Sequence, residues 1–113
     1  MKYIIAIIQP DRLDDVLDNL AAREIHLVTV STVMGRGRQK GVPTVYRSQR
    51  EAGSLLRKMK LEIAVNDEFV DSAMEAIISG ARTGEIGDGK IFVLDIEACT
   101  RIRTRETGNE AIG

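Results

Sequence analysis

Apolar side chains fill the opening KYIIAII, residues 2–8, on both sides of the chain, and four of the seven are isoleucine. A short, β-branched run of this kind predicts a strand. The period then changes. Leu13, Val16, Leu17 and Leu20 recur at i, i+3, i+4 and i+7, the single stripe of a helix lying on a core. Pro10 suits the first turn of that helix, where no N–H is needed, and Asp11 sits near its positive end. Residues 27–34, rich in Val and Thr, predict a second strand. A third is expected over 56–65, with Lys58, Lys60 and Glu62 on one face and Leu61, Ile63 and Val65 on the other. Asn66 is expected to cap a second helix whose apolar face is Val70, Ala73, Met74, Ile77, Ile78 and Ala81. A glycine-rich turn, TGEIGDG at 83–89, then leads into KIFVLDI, the fourth strand.

The order β-α-β, long loop, β-α-β is the ferredoxin-like plan, an α+β fold with both helices on one face of an antiparallel sheet. At 113 residues the chain is one domain, 1–113. Tyr3, Ile5 and Ile7 alternate with Ile4, Ala6 and Ile8, so the face away from the helices is apolar as well. A second apolar face on so small a domain needs a cover, and a closed homo-oligomer with sheets packed on each other supplies one.

Charge changes the picture. The chain holds 16 basic and 17 acidic residues, yet residues 35–60 carry eight Arg or Lys against the single acid Glu51. Their middle has Gly, Pro and Ser but no apolar period, which predicts a long loop of the functional or mobile kind. Four features could each meet an anion or be merely structural. Gly35, Gly37 and Gly41 interleave with Arg36, Arg38, Gln39 and Lys40 straight after a strand, either a place where backbone and cations approach a phosphate or carboxylate or merely a flexible basic loop. Gly84, Gly87 and Gly89 flank Asp88 and precede Lys90, a turn able to gather N–H groups around phosphate or simply to join helix to strand. Arg101, Arg103 and Arg105 would share one face of an extended chain, as a guanidinium row for phosphate or simply a solvated charge run. Lys58, Lys60 and Glu62 are the fourth, a solvated face or a set of charges needing partners at an interface.

Other classes fit less well. Only Tyr46 among four aromatic residues falls in the basic stretch, and no helix has a basic face, which argues against nucleic acid. The lone His26 has no Ser, Cys or carboxylate arrangement around it, so a dedicated enzyme is not expected, although a small ATP-hydrolysing enzyme is the alternative of another class. The single Cys99 makes no intramolecular disulfide. The N-terminal apolar run ends at Pro10, too short for a signal peptide or a membrane span, which predicts a cytoplasmic protein without direct membrane insertion.

With these motifs the chain resembles the PII signal-transduction family of nitrogen regulation from end to end. Thr83 to Val93, TGEIGDGKIFV, fits that family's C-terminal signature; Gly35 to Gly41 matches the base of its T-loop; Arg101 to Thr104 matches its C-terminal loop. The resemblance implies a homotrimer with ATP or ADP in each cleft between subunits. Its segments would be a T-loop over about 36–55, a nucleotide-binding B-loop over about 82–90 and a C-terminal loop over about 98–113. It implies that Gly35, Gly37, Arg38, Gly87, Asp88, Gly89 and Lys90, with Arg101 and Arg103 of the adjacent subunit, surround the phosphates. Thr29, Glu62 and Ala64 would face adenine and ribose. Lys58 would pair a carboxylate of 2-oxoglutarate, with Gln39, Lys40, Gly41 and Gly87 around it, and Gln39 would complete a Mg2+ ion held on the ATP phosphates. A partner protein (a transporter, enzyme or kinase) would read the T-loop.

Several residues depart from that family's pattern. Glu51 stands where the modified tyrosine is usual, and Gln49 where some relatives carry a phosphorylated serine, so neither modification is available there. Tyr46 and Ser48 are the remaining hydroxyls nearby. Gln9 replaces a basic residue near the 2-oxoglutarate site, and Pro43 and Arg50 alter the T-loop. These departures keep open a specialised branch whose second ligand is bicarbonate or whose partner serves nitrogenase or carbon supply.

Overall fold

The computed structural model describes residues 1–37 and 55–113. Strand β1 spans Lys2–Ile8, and a 3-10 turn at Pro10–Arg12 leads into α1, Leu13–Ala22. Strands β2 and β3 are Thr29–Gly35 and Leu56–Val65. A second 3-10 turn, Asp67–Phe69, opens α2, Val70–Ala81. Strand β4 is Gly89–Asp95, and a last turn of helix, α3, is Asn109–Ile112. The four strands form one antiparallel sheet in the order β2-β3-β1-β4. This is the expected ferredoxin-like plan.

The core lies between the sheet and the two long helices. Ile4, Ala6 and Ile8 from β1 and Leu61, Ile63 and Val65 from β3 meet Val16 and Leu20 of α1 and Ala73, Ala76 and Ile77 of α2. Each fully buried Ile or Leu contributes about 1.5–3 kcal/mol relative to exposure. The helices touch at Gly80, where a Cβ would come within 2.8 Å of the Val16 Cα. That closeness lets side chains of α1 and of the turn before it reach the backbone of α2: Arg12 Nε donates to the Gly80 carbonyl at 2.9 Å, and Asn19 Nδ2 to that of Ala76 at 3.3 Å.

Three sequence expectations need correction here. The second strand starts at Thr29 rather than Leu27, because the chain leaving α1 turns at Glu24 (φ 61) to seat Ile25 in the core and joins β3 only afterwards. Leu27 is left 69% exposed. The Asn66 side chain does not cap the second helix. Its backbone carbonyl accepts from the Phe69 N–H at 2.9 Å, while Nδ2 donates to the Asn109 carbonyl at 3.2 Å, tying β3 to the C-terminal segment. In α2, Ile78 faces outward, whereas Ala76 and Gly80 are buried because α1 presses on that side.

Candidate functional site

Strand register sets out the face away from the helices. Thr29 pairs with Glu62, Glu62 with Ile5, and Ile5 with Phe92, forming one row across the sheet. The next row is Ser31, Lys60, Ile7 and Lys90. Val33 and Lys58 lie beyond it, and Ala64, Tyr3 and Leu94 lie on the other side. Directly paired residues project to the same side. Thr29, Gly35, Lys58, Glu62, Ala64 and Lys90 therefore share one open face, interspersed with Tyr3, Ile5, Ile7, Phe92 and Leu94. Phe92 and Leu94 are 49% and 48% exposed. At about 4.8 Å per strand, the β2 and β4 ends of a row stand roughly 14 Å apart.

Two polar groups on this face are held in place. Tyr3 Oη donates to Glu62 Oε2, and this bond, with burial, raises the phenol above its ordinary pKa. Lys58 is the one buried charged residue among the described residues. Its stem passes beside Gly35, whose absent Cβ would lie 3.7 Å from Lys58 Cγ, and burial lowers its pKa. Ala64 ends the face at the rim of a cavity of about 300 Å³, bounded also by Leu27, Asn66, Phe69 and Ile112.

The loop between α2 and β4 is built around Asp88. Its carboxylate accepts from the N–H groups of Thr83 and Gly84, each at 2.8 Å, and from the Thr83 hydroxyl. The same bonds hold Asp88 below the usual carboxylate range. Thr83 Oγ1 in turn accepts from the Glu85 N–H at 3.1 Å. Gly84, Gly87 and Gly89 all have positive φ. Gly89 is further constrained, since a Cβ there would lie 1.8 Å from the Ile7 carbonyl oxygen. Among the described residues the Ile86 and Gly87 N–H groups have no acceptor, and Lys90 follows on the open face. Loose N–H groups followed by a cation form a donor set suited to phosphate.

The C-terminal arginines are not extended, which corrects the predicted guanidinium row. Thr100 bridges to Thr107 across a tight turn, and Arg105 adopts φ 64. Arg101 is committed within the chain: NH1 pairs with Glu106 Oε1 at 2.7 Å, and NH2 donates to the Glu110 carbonyl at 3.2 Å. Glu106 also accepts from Thr104 Oγ1 at 2.7 Å, so local pairing outweighs alignment of like charges. Arg103 and Arg105 stay exposed.

Residues 1–106 match the family model described as nitrogen regulatory protein P-II. The chain belongs to the P-II family. It is 53% identical to nitrogen regulatory protein GlnK1 of Methanosarcina mazei over 99% of this chain and 97% of that protein. It is also 53% identical to nitrogen regulatory protein P-II of Rhizobium etli, over 99% and 100%. Nitrogen regulatory protein P-II 2 of Methanothermobacter thermautotrophicus is 48% identical over 99% and 97%. This P-II chain is thus a non-catalytic regulator in nitrogen metabolism.

Of the residues singled out from sequence, Thr29, Gly35, Lys58, Glu62, Ala64 and Lys90 come together on the open face, with Gly87 and Asp88 in the adjoining loop and Gly89 at the start of β4. Asp88 faces into that loop as its organiser. No hydrogen bond or ion pair among the described residues joins Arg101 or Arg103 to this group. Gly37 ends the described stretch after β2; Arg38, Gln39, Lys40, Gly41 and Glu51 lie outside the described residues, as do Pro43, Tyr46, Ser48, Gln49 and Arg50. Sequence reasoning missed Tyr3 and Thr83. The register of β1 with β3 could have flagged Tyr3, since it places an aromatic hydroxyl diagonally across from Glu62. Among the described residues no group of three His, Cys, Asp or Glu side chains gathers to hold a metal, and no helix is long and apolar enough to cross a membrane.

Proposed function

We propose that three copies of this chain pack their open faces together and bind ATP or ADP in the clefts between them. The observation that carries the reading is the open face itself. It combines uncovered Phe92 and Leu94 with Thr29, Glu62 and Lys90, next to a loop with unpaired N–H groups. An apolar surface suits burial against identical copies, and the polar groups at its edges suit a ligand lying along the seam.

In this reading the Ile86–Gly87 N–H groups, Gly89 and Lys90 take the phosphates, and Asp88 holds the loop in shape. Gly35, Gly37 and Arg38 approach from the T-loop base, and Arg101 and Arg103 act from the adjacent copy. Thr29, Glu62 and Ala64 face the nucleoside. Lys58 meets a carboxylate of 2-oxoglutarate, helped by Gln39, Lys40, Gly41 and Gly87. The Gln39 carbonyl oxygen is the kind of hard donor Mg2+ takes alongside phosphate oxygens. Because residues 38–41 belong to the T-loop, occupancy of the cleft changes the surface that a partner protein reads. A ligand shifts that equilibrium only by its differential affinity for the two loop states, so no catalysis is required.

The test is calorimetric titration with ATP and ADP, with and without Mg2+, followed by 2-oxoglutarate. Saturable binding of both nucleotides, with 2-oxoglutarate binding only beside Mg2+ and ATP, is the expected result. Failure of both nucleotides to bind would sink the reading.

A further inference from the structure

We infer that Tyr3 is a positioning residue for the sugar end of the nucleotide site, acting through Glu62; the inference rests on the nucleotide reading above. On the open face Tyr3 stands opposite Ala64, and Glu62 stands opposite Ile5. Such diagonal neighbours on an antiparallel pair are within reach of a long aromatic side chain. The Tyr3 hydroxyl crosses that diagonal and donates to Glu62 Oε2. No cation pairs with Glu62 among the described residues, so the phenol is the polar group that fixes the carboxylate.

The chemistry favours a diol. An ionised carboxylate only accepts, and with Oε2 committed to Tyr3, Oε1 has no partner among the described residues. Thr29 sits directly opposite Glu62 and brings a hydroxyl that both donates and accepts. A pinned acceptor beside such a hydroxyl matches the vicinal hydroxyls of ribose, which acidic side chains commonly bind. Ile5 and Ile7, next along β1, carry no polar group and leave the sugar's orientation to this pair. A phenol is protonated, and so a donor, throughout the neutral range, and the bond to Glu62 only strengthens that preference. Tyr3 does not touch the nucleotide in this arrangement; it removes the freedom of the group that does.

The experiment uses the intact chain and its Tyr3→Phe variant, which keeps the ring and loses the hydroxyl, with thermal melting to confirm folding. Calorimetry then measures ATP, ADP and 2′,3′-dideoxy-ATP. The expected result is a loss of about 3- to 10-fold for ATP and ADP alike, the scale of one hydrogen bond, and less than about 2-fold for the dideoxy analogue. Unchanged ATP affinity in the variant, or an equal loss for the dideoxy analogue, would overturn the inference while leaving nucleotide binding intact. A wild-type chain that binds neither ATP nor ADP overturns the nucleotide reading and the inference together. The pairing is read separately in a Tyr46→Phe background, where Tyr3 is the only tyrosine. There Glu62→Gln should lower the phenol's spectrophotometric pKa, and an unmoved titration overturns the coupling.

Discussion

Asp88 accepts the N–H groups of both Thr83 and Gly84 at 2.8 Å, so one carboxylate closes the loop that leads from α2 into β4. These bonds hold its folded pKa below the unfolded value. Their stabilisation is therefore complete above the ordinary carboxylate range and lost as pH falls through the depressed folded value. Asp88→Ala should melt less steeply with falling pH than the wild type between about pH 5 and 2. Asp67 and Asp95, also depressed through the N-terminal amine and Lys2, titrate in both proteins and cancel in the comparison. Identical slopes would contradict the role given to Asp88.

Gly89 is irreplaceable for a different reason. Its φ is +109, and any Cβ would meet the Ile7 carbonyl at 1.8 Å. Gly89→Ala must displace β4 from β1 or twist the loop, at a cost of about 2–4 kcal/mol. Chemical denaturation should show that loss, whereas Gly84→Ala, with nothing within 4 Å of its Cβ, should cost less.

Arg101 belongs first to its own chain. Glu106→Ala removes its 2.7 Å partner and the acceptor of Thr104 Oγ1. Both charged side chains are partly exposed, at 37% and 40%, so global stability should change by no more than about 1 kcal/mol. Local order should change more. Amide exchange at Arg105 and Gly108, whose N–H groups bond to the Arg101 and Cys99 carbonyls, should accelerate while the β1 and β3 amides keep their protection.

Phe92 tests the assembly. It stands on the open face, across β1 from Glu62, and is half exposed in the single chain. Phe92→Glu puts a charge where identical faces would meet, and burying an unpaired carboxylate costs several kcal/mol. Light scattering should report three chains for the wild type and one for the variant, with strand and helix content retained in circular dichroism.

The periodic parts of the fold were legible. The α1 stripe and the alternation in β3 at Leu56–Val65 follow from two repeating distances, 3.6 and 2.0 residues, and isoleucine-rich β1 from its short β-branched run. The open face was also readable, because Tyr3, Ile5 and Ile7 are apolar with no helix left to cover them. What sequence could not supply was the competition for polar groups. Asn66 looks like a cap, but the C-terminal segment takes its side-chain amide. Arg101, Arg103 and Arg105 look like an aligned row until Glu106, too far along the chain to matter in an extended strand, folds the turn back on Arg101. Similarly, Asp88 reads as a ligand residue, yet its carboxylate is used by backbone N–H groups four and five residues before it. Such pairings depend on which chain segment arrives nearby, and residue spacing alone does not encode that.

The most direct measurement is an ATP titration of the wild type beside Lys90→Ala, with light scattering on the same samples. Lys90 lies at the end of the loop, next to Ile7 on the open face, where the account needs a cation against phosphate. The wild type should bind ATP as a trimer, and the variant should remain trimeric with an affinity lower by about 1–3 kcal/mol, the range for a charge-assisted hydrogen bond. A trimeric wild type that binds neither ATP nor ADP, or a Lys90→Ala protein that binds both undiminished, would contradict the account.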